Sequence, residues 1–325
     1  VLEIKNKFMY SLILIVCVIA ISFIYFFFFS RPELVKTKEP DTLAILEKSK
    51  KEQVKSWSLS NLCPEYYEFK TDHKVKIAVL DSGIEKQHDD LKNLVTKEYN
   101  AIEPHQPVID TLGHGTTVAG IIAANHNSIG ITGIASSVAE LYDVKVLDDN
   151  GIGKIEHLVQ GINWAIENNV EVLNISFGMS SNHQDLKRII EKALQKGIVV
   201  VASAGNNYGG KVEYPANYDE VISVTAVDHA YKAASFAAEN GKIDFAAPGV
   251  NVITTTISNE YSIENGTSLA SAHVTGIVSL ILANKETFKL SSNKKNVPNE
   301  VYKILEKNAV EIGSSNQFGK GFIKL

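Results

Sequence analysis

Three short segments carry residue types that could do nucleophilic chemistry. Val79-Leu80-Asp81-Ser82-Gly83 ends an apolar run with an aspartate, Gly113-His114-Gly115-Thr116 opens a second apolar run with a histidine, and Gly266-Thr267-Ser268-Leu269-Ala270-Ser271 opens a third with a serine. Each has an ordinary reading of its own. Asp-Ser-Gly occurs in turns and in aspartic proteases, and a serine at a helix start is commonly an N-cap. An aspartic protease would need a second Asp-Thr/Ser-Gly, and the nearest candidate, Asp110-Thr111-Leu112-Gly113, is interrupted. Together the three segments supply Asp, His and Ser in one of the chain orders in which a catalytic triad is built. A serine is a weak nucleophile until an imidazole accepts its proton, and a carboxylate behind the imidazole fixes its tautomer and stabilises the imidazolium.

Groups this far apart in sequence need a rigid frame to meet. Apolar runs suited to buried parallel strands recur at 75–80, 141–146, 170–175, 198–202 and 221–227. Helix patterns lie between them at 155–167 and 185–196, the second stopping at Gly197, a natural left-handed end. Alternation of this kind predicts an α/β fold, a doubly wound, mostly parallel sheet with helices on both faces. Such a sheet places its active site beyond the carboxyl ends of the strands, where the three segments would stand. No internal repeat or low-complexity tract interrupts the pattern.

Composition narrows the class. The 325 residues are 45% hydrophobic and 21% charged, which excludes disordered and fibrous chains. A formal net charge of -5 leaves no basic excess for nucleic-acid binding. Neither Cys17 nor Cys63 has a partner at metal-ligand spacing, so there is no zinc site or disulfide framework to argue from. Residues 8–29 contain no charge and are long enough, at 1.5 Å per residue, to cross a bilayer core. A retained anchor at 1–30 fits better than a cleaved signal peptide, because Ser30-Arg31-Pro32 is no small-residue cleavage site. Residues 31–52 read as a polar, Lys/Glu-rich tether with a short helical patch at Leu43 and Leu46, and one domain follows at 53–325.

From Gln53 to Leu325 the sequence resembles the subtilisin-like (subtilase) serine peptidases. Besides the three segments, the resemblance rests on Val201-Ala202-Ser203-Ala204-Gly205-Asn206, Tyr214-Pro215-Ala216, Ala247-Pro248-Gly249 and Gly319-Lys320-Gly321, in the family's order. It implies a subtilisin-like fold and a monomeric serine endopeptidase acting on protein or peptide substrates through an acyl-enzyme, with Asp81, His114 and Ser268 as triad and Asn206 as oxyanion donor. Ser176-Phe177-Gly178 would be the strand that pairs with substrate. Leu269 stands for the usual Met, Ala272 for Pro and Thr117 for His, and none of these removes a catalytic group. The run from Asn125 to Ile131 resembles the family's calcium loop, which implies a structural Ca²⁺ held by Gln53, Asp90, Asn125, Asn127, Ile129 and Ile131; a solvated Asn/Gly loop is the plain alternative. Glu213 falls where many relatives place a small residue at the base of the first specificity pocket. A carboxylate there would favour Lys or Arg before the cut, unless the loop turns it into solvent.

The resemblance also bears on location and control. Most such peptidases work outside the cytoplasm, so the domain is expected on the outer face of the membrane, although Arg31, Lys36, Lys38 and Lys48 lean the charge rule slightly the other way. Secreted relatives usually carry an inhibitory prosegment, for which residues 31–52 are too few and too polar, so cleavage at the lysine cluster around Lys48, Lys50 and Lys51 is an expected route to a released enzyme. A dedicated maturation protease for one peptide and an inactive tethered binding domain are the alternatives.

Overall fold

Runs of Val, Ile, Leu and Ala that are apolar on both faces can only be buried between two layers, and that is where they lie. The structure, a computed structural model, describes residues 41–62 and 73–325. Nine strands form the main sheet among these residues. They are β1 (Val75–Asp81), β2 (Val95–Asn100), β3 (Ala139–Lys145), β4 (Val172–Ile175), β5 (Val199–Ser203), β6 (Ile222–Val227), β7 (Phe245–Pro248), and two short closing strands, β10 (Ala309–Val310) and β11 (Phe322–Ile323). Their order is β10-β11-β7-β6-β5-β4-β1-β3-β2, parallel throughout except at β10/β11. A separate antiparallel hairpin is made of β8 (Val252–Thr256) and β9 (Glu260–Glu264).

The chain runs from β1 out to β2 at the edge, returns to β3 between them, then crosses to β4 on the other side of β1 and winds away through β5, β6 and β7, so the strand order reverses between β1 and β4. A crevice opens beyond the carboxyl ends of strands at such a switch point. Helices α4 (Ile155–Glu167) and α5 (Gln184–Gln195) cover one face, where Leu158, Ile162, Leu186 and Ile190 pack on Leu80, Val144 and Val200. Helices α3 (His114–Ala123) and α6 (Thr267–Ala283) cover the other. All 17 residues of α6 are buried, and it carries no charge in its first or last turn. A helix apolar on every side belongs inside a protein, and here it forms the spine of the core.

The five expected strands and both expected helices are present within two residues of their ends. The serine and histidine helices begin earlier than their apolar runs, at Thr267 and His114, because Gly-Thr and small polar residues occupy their buried first turns. The short helical patch expected at Leu43 and Leu46 is present, and it is docked. Residues 42–49 form a helix, α1 (Thr42–Ser49), capped by the Asp41 side chain on the Ala44 amide at 3.0 Å. Its Ile45 and Leu46 pack on Ile253, Tyr261 and Ile263 of the hairpin, and Lys50 pairs with Glu260 at 3.0 Å. Two apolar side chains too few to make a core alone suffice to dock on one already built. A second short helix, α2 (Trp57–Leu62), follows, and its Trp57 Nε1 donates to the Asn251 carbonyl at 3.1 Å, just ahead of the hairpin. The apolar run at 8–29, with Cys17, lies outside the described residues, as does Cys63. Among the described residues no helix is long and apolar enough to cross a membrane.

Candidate active site

Asp81 is the last residue of β1, and the register of β1 on β4 carries the end of both strands to the crevice. Its Oδ1 accepts hydrogen bonds from the Ser82 amide at 2.8 Å and from His114 Nδ1 at 2.7 Å. The chain turns sharply after it so that α3 can begin alongside. A Cβ at Gly115 would stand 2.0 Å from the Gly83 carbonyl oxygen, which makes glycine a condition of this approach. Asp110 then organises the helix start. Its carboxylate accepts from the Gly113 amide at 2.8 Å, the Thr116 hydroxyl at 2.6 Å and the Ser82 hydroxyl at 2.9 Å, tying the turn of Asp81 to the helix of His114. A carboxylate suits this place because the first amides of a helix are unpaired donors.

Burial alone would push the His114 ring towards neutrality. The Asp81 carboxylate beside it, helped by Asp110 and Glu264, outweighs that effect and raises its affinity for a proton above the ordinary histidine value. A third of the ring side chain still meets solvent. Ser268, the second residue of α6, is 5% exposed and lines the same cleft as His114. Among the described residues its hydroxyl forms no hydrogen bond, a looseness usual in catalytic sites without substrate. Asn206 follows β5. Its Oδ1 accepts from the Thr267 amide at 3.0 Å and from the Thr267 hydroxyl at 2.8 Å, which fixes the amide orientation and turns its Nδ2 donor towards the Ser268 side.

The cleft has a volume of about 520 Å³. Ser176, Phe177 and Gly178 form one wall at the end of β4, with the Ser176 hydroxyl tied to Asn174 at 2.6 Å. Reciprocal backbone bonds between Met179 and Tyr214, both 2.8 Å, set residue 213 against that wall. Glu213 therefore lines the cleft, half-buried. Its carboxylate lies 2.6 Å from where a Cβ at Gly178 would stand and 3.0 Å from the same point at Gly205. Burial pushes its proton affinity up, partly offset by a hydrogen bond from Asn207. A carboxylate held in this way gains from a cationic partner more than one in open water.

The candidate metal residues meet elsewhere, on the far side of α3. Gln53 Nε2 donates to the Asn125 carbonyl oxygen at 3.0 Å and to that of Ile131 at 3.1 Å. Asp90 accepts from Asn127 Nδ2 and from the Ile131 amide, each at 2.9 Å, and Ile129 donates to Asn127 Oδ1 at 3.2 Å. Gly130 has to be glycine, since its Cβ would fall 2.1 Å from Asp90 Oδ2 and 2.0 Å from the Tyr261 hydroxyl. Residues 49–54 strap this loop by backbone bonds from Gly130 to Ser49, from Gln53 to Ser128 and from Val54 to Gly130, all within 2.9 Å. Among the described residues no three His, Cys, Asp or Glu side chains gather as metal ligands. The oxygens present are carbonyls, amides and one carboxylate, a hard set that fits Ca²⁺ and not a softer ion.

Sequence reasoning misses three carboxylates around the triad. Asp110 enters it only as a member of a protease dyad; the N-cap of the helix is Gly113, and no capping pattern marks a carboxylate three residues ahead of it. Asp143 and Glu264 sit within strand patterns that give no sign of what they face.

An ion-paired imidazole, a serine opening a buried helix and a fixed amide donor in one crevice are the equipment of a serine hydrolase. Residues 72–321 match the model of the Subtilase family. The chain is 42% identical over 264 residues to the subtilisin of Bacillus pumilus, covering 78% of this chain and 90% of that one. It is 41% identical over 264 residues to subtilisin E of Bacillus subtilis, covering 65% of that protein, and 38% identical over 258 residues to the minor extracellular protease Epr of the same species, covering 38% of it. The chain belongs to the subtilase family of serine endopeptidases.

Proposed function

We propose that this subtilase cuts peptide bonds through Asp81, His114 and Ser268, after a Lys or Arg residue. The observation that carries the triad is the 2.7 Å contact of His114 Nδ1 with Asp81 Oδ1, in a cleft shared with Ser268 and with the amide of Asn206. His114 takes the Ser268 proton as the hydroxyl oxygen attacks the carbonyl carbon, and returns it to the leaving amine; Asp81 stabilises the imidazolium between these steps. Asn206 donates to the oxyanion, a contact whose loss costs on the order of 10²- to 10³-fold in rate, a magnitude carried over from the oxyanion-hole asparagine of a subtilisin. Water then repeats the sequence on the acyl-enzyme. Labelling by an active-site phosphonate that is lost in Ser268→Ala tests this reading, and equal turnover by the two proteins would overturn it.

The preference for Lys or Arg rests on Glu213 facing the cleft. A cleavage profile over a peptide library tests it: Glu213→Gln should lose the preference selectively, and a mutant that keeps it would refute the pocket assignment. Structural Ca²⁺ belongs to the same proposal, with Gln53, Asp90, Asn125, Asn127, Ile129 and Ile131 as its oxygen ligands. When bound, the ion would tie residue 53 to the loop after α3. Anchoring by residues 8–29, with the catalytic domain outside the cytoplasm, is supported by the length of the uncharged run and by the printed name of the extracellular relative. A protease devoted to one peptide remains the second reading, favoured by the charged specificity pocket.

A further inference from the structure

Glu264, the last residue of β9, lines the same cleft as Glu213 from another element. The two carboxylates stand on different walls. On the acyl side the neighbours form a chain of close approaches: Gly178 and Gly205 on Glu213, Gly153 on Leu147 and Phe177, and Gly151 on Leu112. The other wall is the hairpin, where Thr256, Glu264 and Asn265 line the cleft and Gly113 packs on Thr256 and Ile257. His114 follows Gly113 and lies within the field of Glu264. The leaving amine takes its proton from His114, so the first residue after the cut lies beside His114, where Gly113 packs on the hairpin and Glu264 lines the cleft. Glu264 is partly buried, and among the described residues no cation pairs with it. Among the described residues no Lys or Arg lines the cleft.

We infer that Glu264 selects a basic residue on the leaving-group side, which makes the substrate class a basic segment that spans the scissile bond. This rests on the reading of Glu213 and the triad given above. A carboxylate on each side of Ser268, with no cation to neutralise either, would accept a Lys or Arg side chain before the cut and another after it. Charge complementarity of this sort raises specificity more than overall affinity.

Partitioning of the acyl-enzyme separates the two sides. The full-length chain is acylated with a lysine ester or a phenylalanine ester, and argininamide or leucinamide is supplied as acceptor. The acyl–Oγ bond of Ser268 breaks as the acyl–N bond forms, and the amine proton passes through His114 to the serine oxygen. Argininamide should capture the acyl group more than leucinamide by about 2- to 5-fold at low salt, as a partly screened ion pair permits. Glu264→Gln should bring the ratio towards one, Glu264→Asp should keep part of it, and Glu213→Gln should leave it intact while altering the preference between the esters. Equal capture in the wild type, or a ratio untouched by Glu264→Gln, would overturn the inference. If Glu213→Gln leaves the ester preference unchanged while Glu264→Gln still acts, the acyl-side reading fails and the leaving-group side stands. Failure of both esters to acylate Ser268 overturns both readings.

Discussion

Asp143 shows how a single residue can shape the site without facing substrate. Pairing of Val79 with Asp143 and of Asp81 with Lys145 puts its side chain on the face of the sheet that carries Asp81. Its Oδ2 accepts from the Ile84 amide at 3.0 Å, while Lys145 Nζ donates to the Ser82 carbonyl at 2.7 Å, so two neighbouring strand residues hold the turn behind the triad carboxylate. Asp143 is fully buried, and its Oδ1 has no partner. Burial pushes its carboxyl up to about 8, with Asp110 and Asp81 adding to the effect and Ile84 and Lys86 opposing it. The folded protein therefore keeps a proton that the unfolded chain releases between pH 4 and 8, and stability falls as pH rises through that window. The slope from this one group is at most about 1.4 kcal/mol per pH unit. Asp143→Asn should flatten it, which denaturant midpoints at pH 5 and pH 8 would show; parallel curves for mutant and wild type would refute the buried acid. His114 gives a second expectation. In the proposed mechanism it must be neutral to accept the serine proton, and its raised proton affinity should then move the acid limb of kcat/KM above the ordinary histidine range near 6.5. Removing one of its supporting charges in Glu264→Gln should move that limb to lower pH, and a limb that stays in place would deny the coupling. The meeting of Asp81, His114 and Ser268 around one cleft was legible because each stands at the start or end of an element within two residues of a glycine. Asp143 was not, because nothing in Leu141-Tyr142-Asp143-Val144 tells a buried carboxyl from one turned outward.

Among elements, the strands of the sheet and the helices α4 and α5 could be read because their apolar period is local. The hairpin of β8 and β9, the edge strand β2 and the docking of α1 could not. Thr-Thr-Thr in β8 looks solvated, yet Thr254 and Thr255 donate to the carbonyls of Thr117 and Thr116 at 2.7 and 2.8 Å, and Thr117 donates to Thr255 at 3.1 Å. These bonds join α3 to the hairpin and give Thr117 a structural task where a histidine is usual. The loop from Asn125 to Ile131 was legible as a whole, but the strap across it was not, since its bonds are made by backbone. Ca²⁺ bound only to the native loop would stabilise by about 2.7 kcal/mol at a hundredfold excess over its dissociation constant. For a domain of this size that corresponds to a fall in Tm of about 5 to 10 °C on chelation. Gln53→Ala should show a smaller calcium-dependent shift than the wild type, and a melting curve indifferent to chelator in both proteins would remove the metal from the account.

At the scale of the whole molecule, the cleft opens at the switch point while the N-terminal segment docks on the hairpin. This packing changes where release from a membrane is expected. Tolerance of a cut depends on the burial and hydrogen bonding of the backbone concerned. Ser49 is buried, Lys48 pairs with Glu52 at 3.4 Å, and residues 49–54 are bonded to the loop, so the lysines at 48–51 are poorly placed for attack. A soluble form should begin ahead of Asp41, at Lys36 or Lys38, and keep α1. N-terminal sequencing of soluble and membrane fractions checks this, and a soluble chain starting at Gln53 would contradict it.

The complete burial of α6 has a consequence in time. Beyond its first turn, which lines the cleft, its amides are expected to exchange hydrogen with water only through the largest openings of the domain, because every residue there is buried. Ser268 sits in the first turn of that helix, so the proposed nucleophile keeps its backbone anchor for as long as the helix stays folded. The outer strand of the hairpin, β9, and the strapped loop are partly exposed and can open on shorter timescales. Heating should thus erode selectivity for the residues after the cut before it erodes the capacity to react with a phosphonate, the two clocks running at different rates within one cleft.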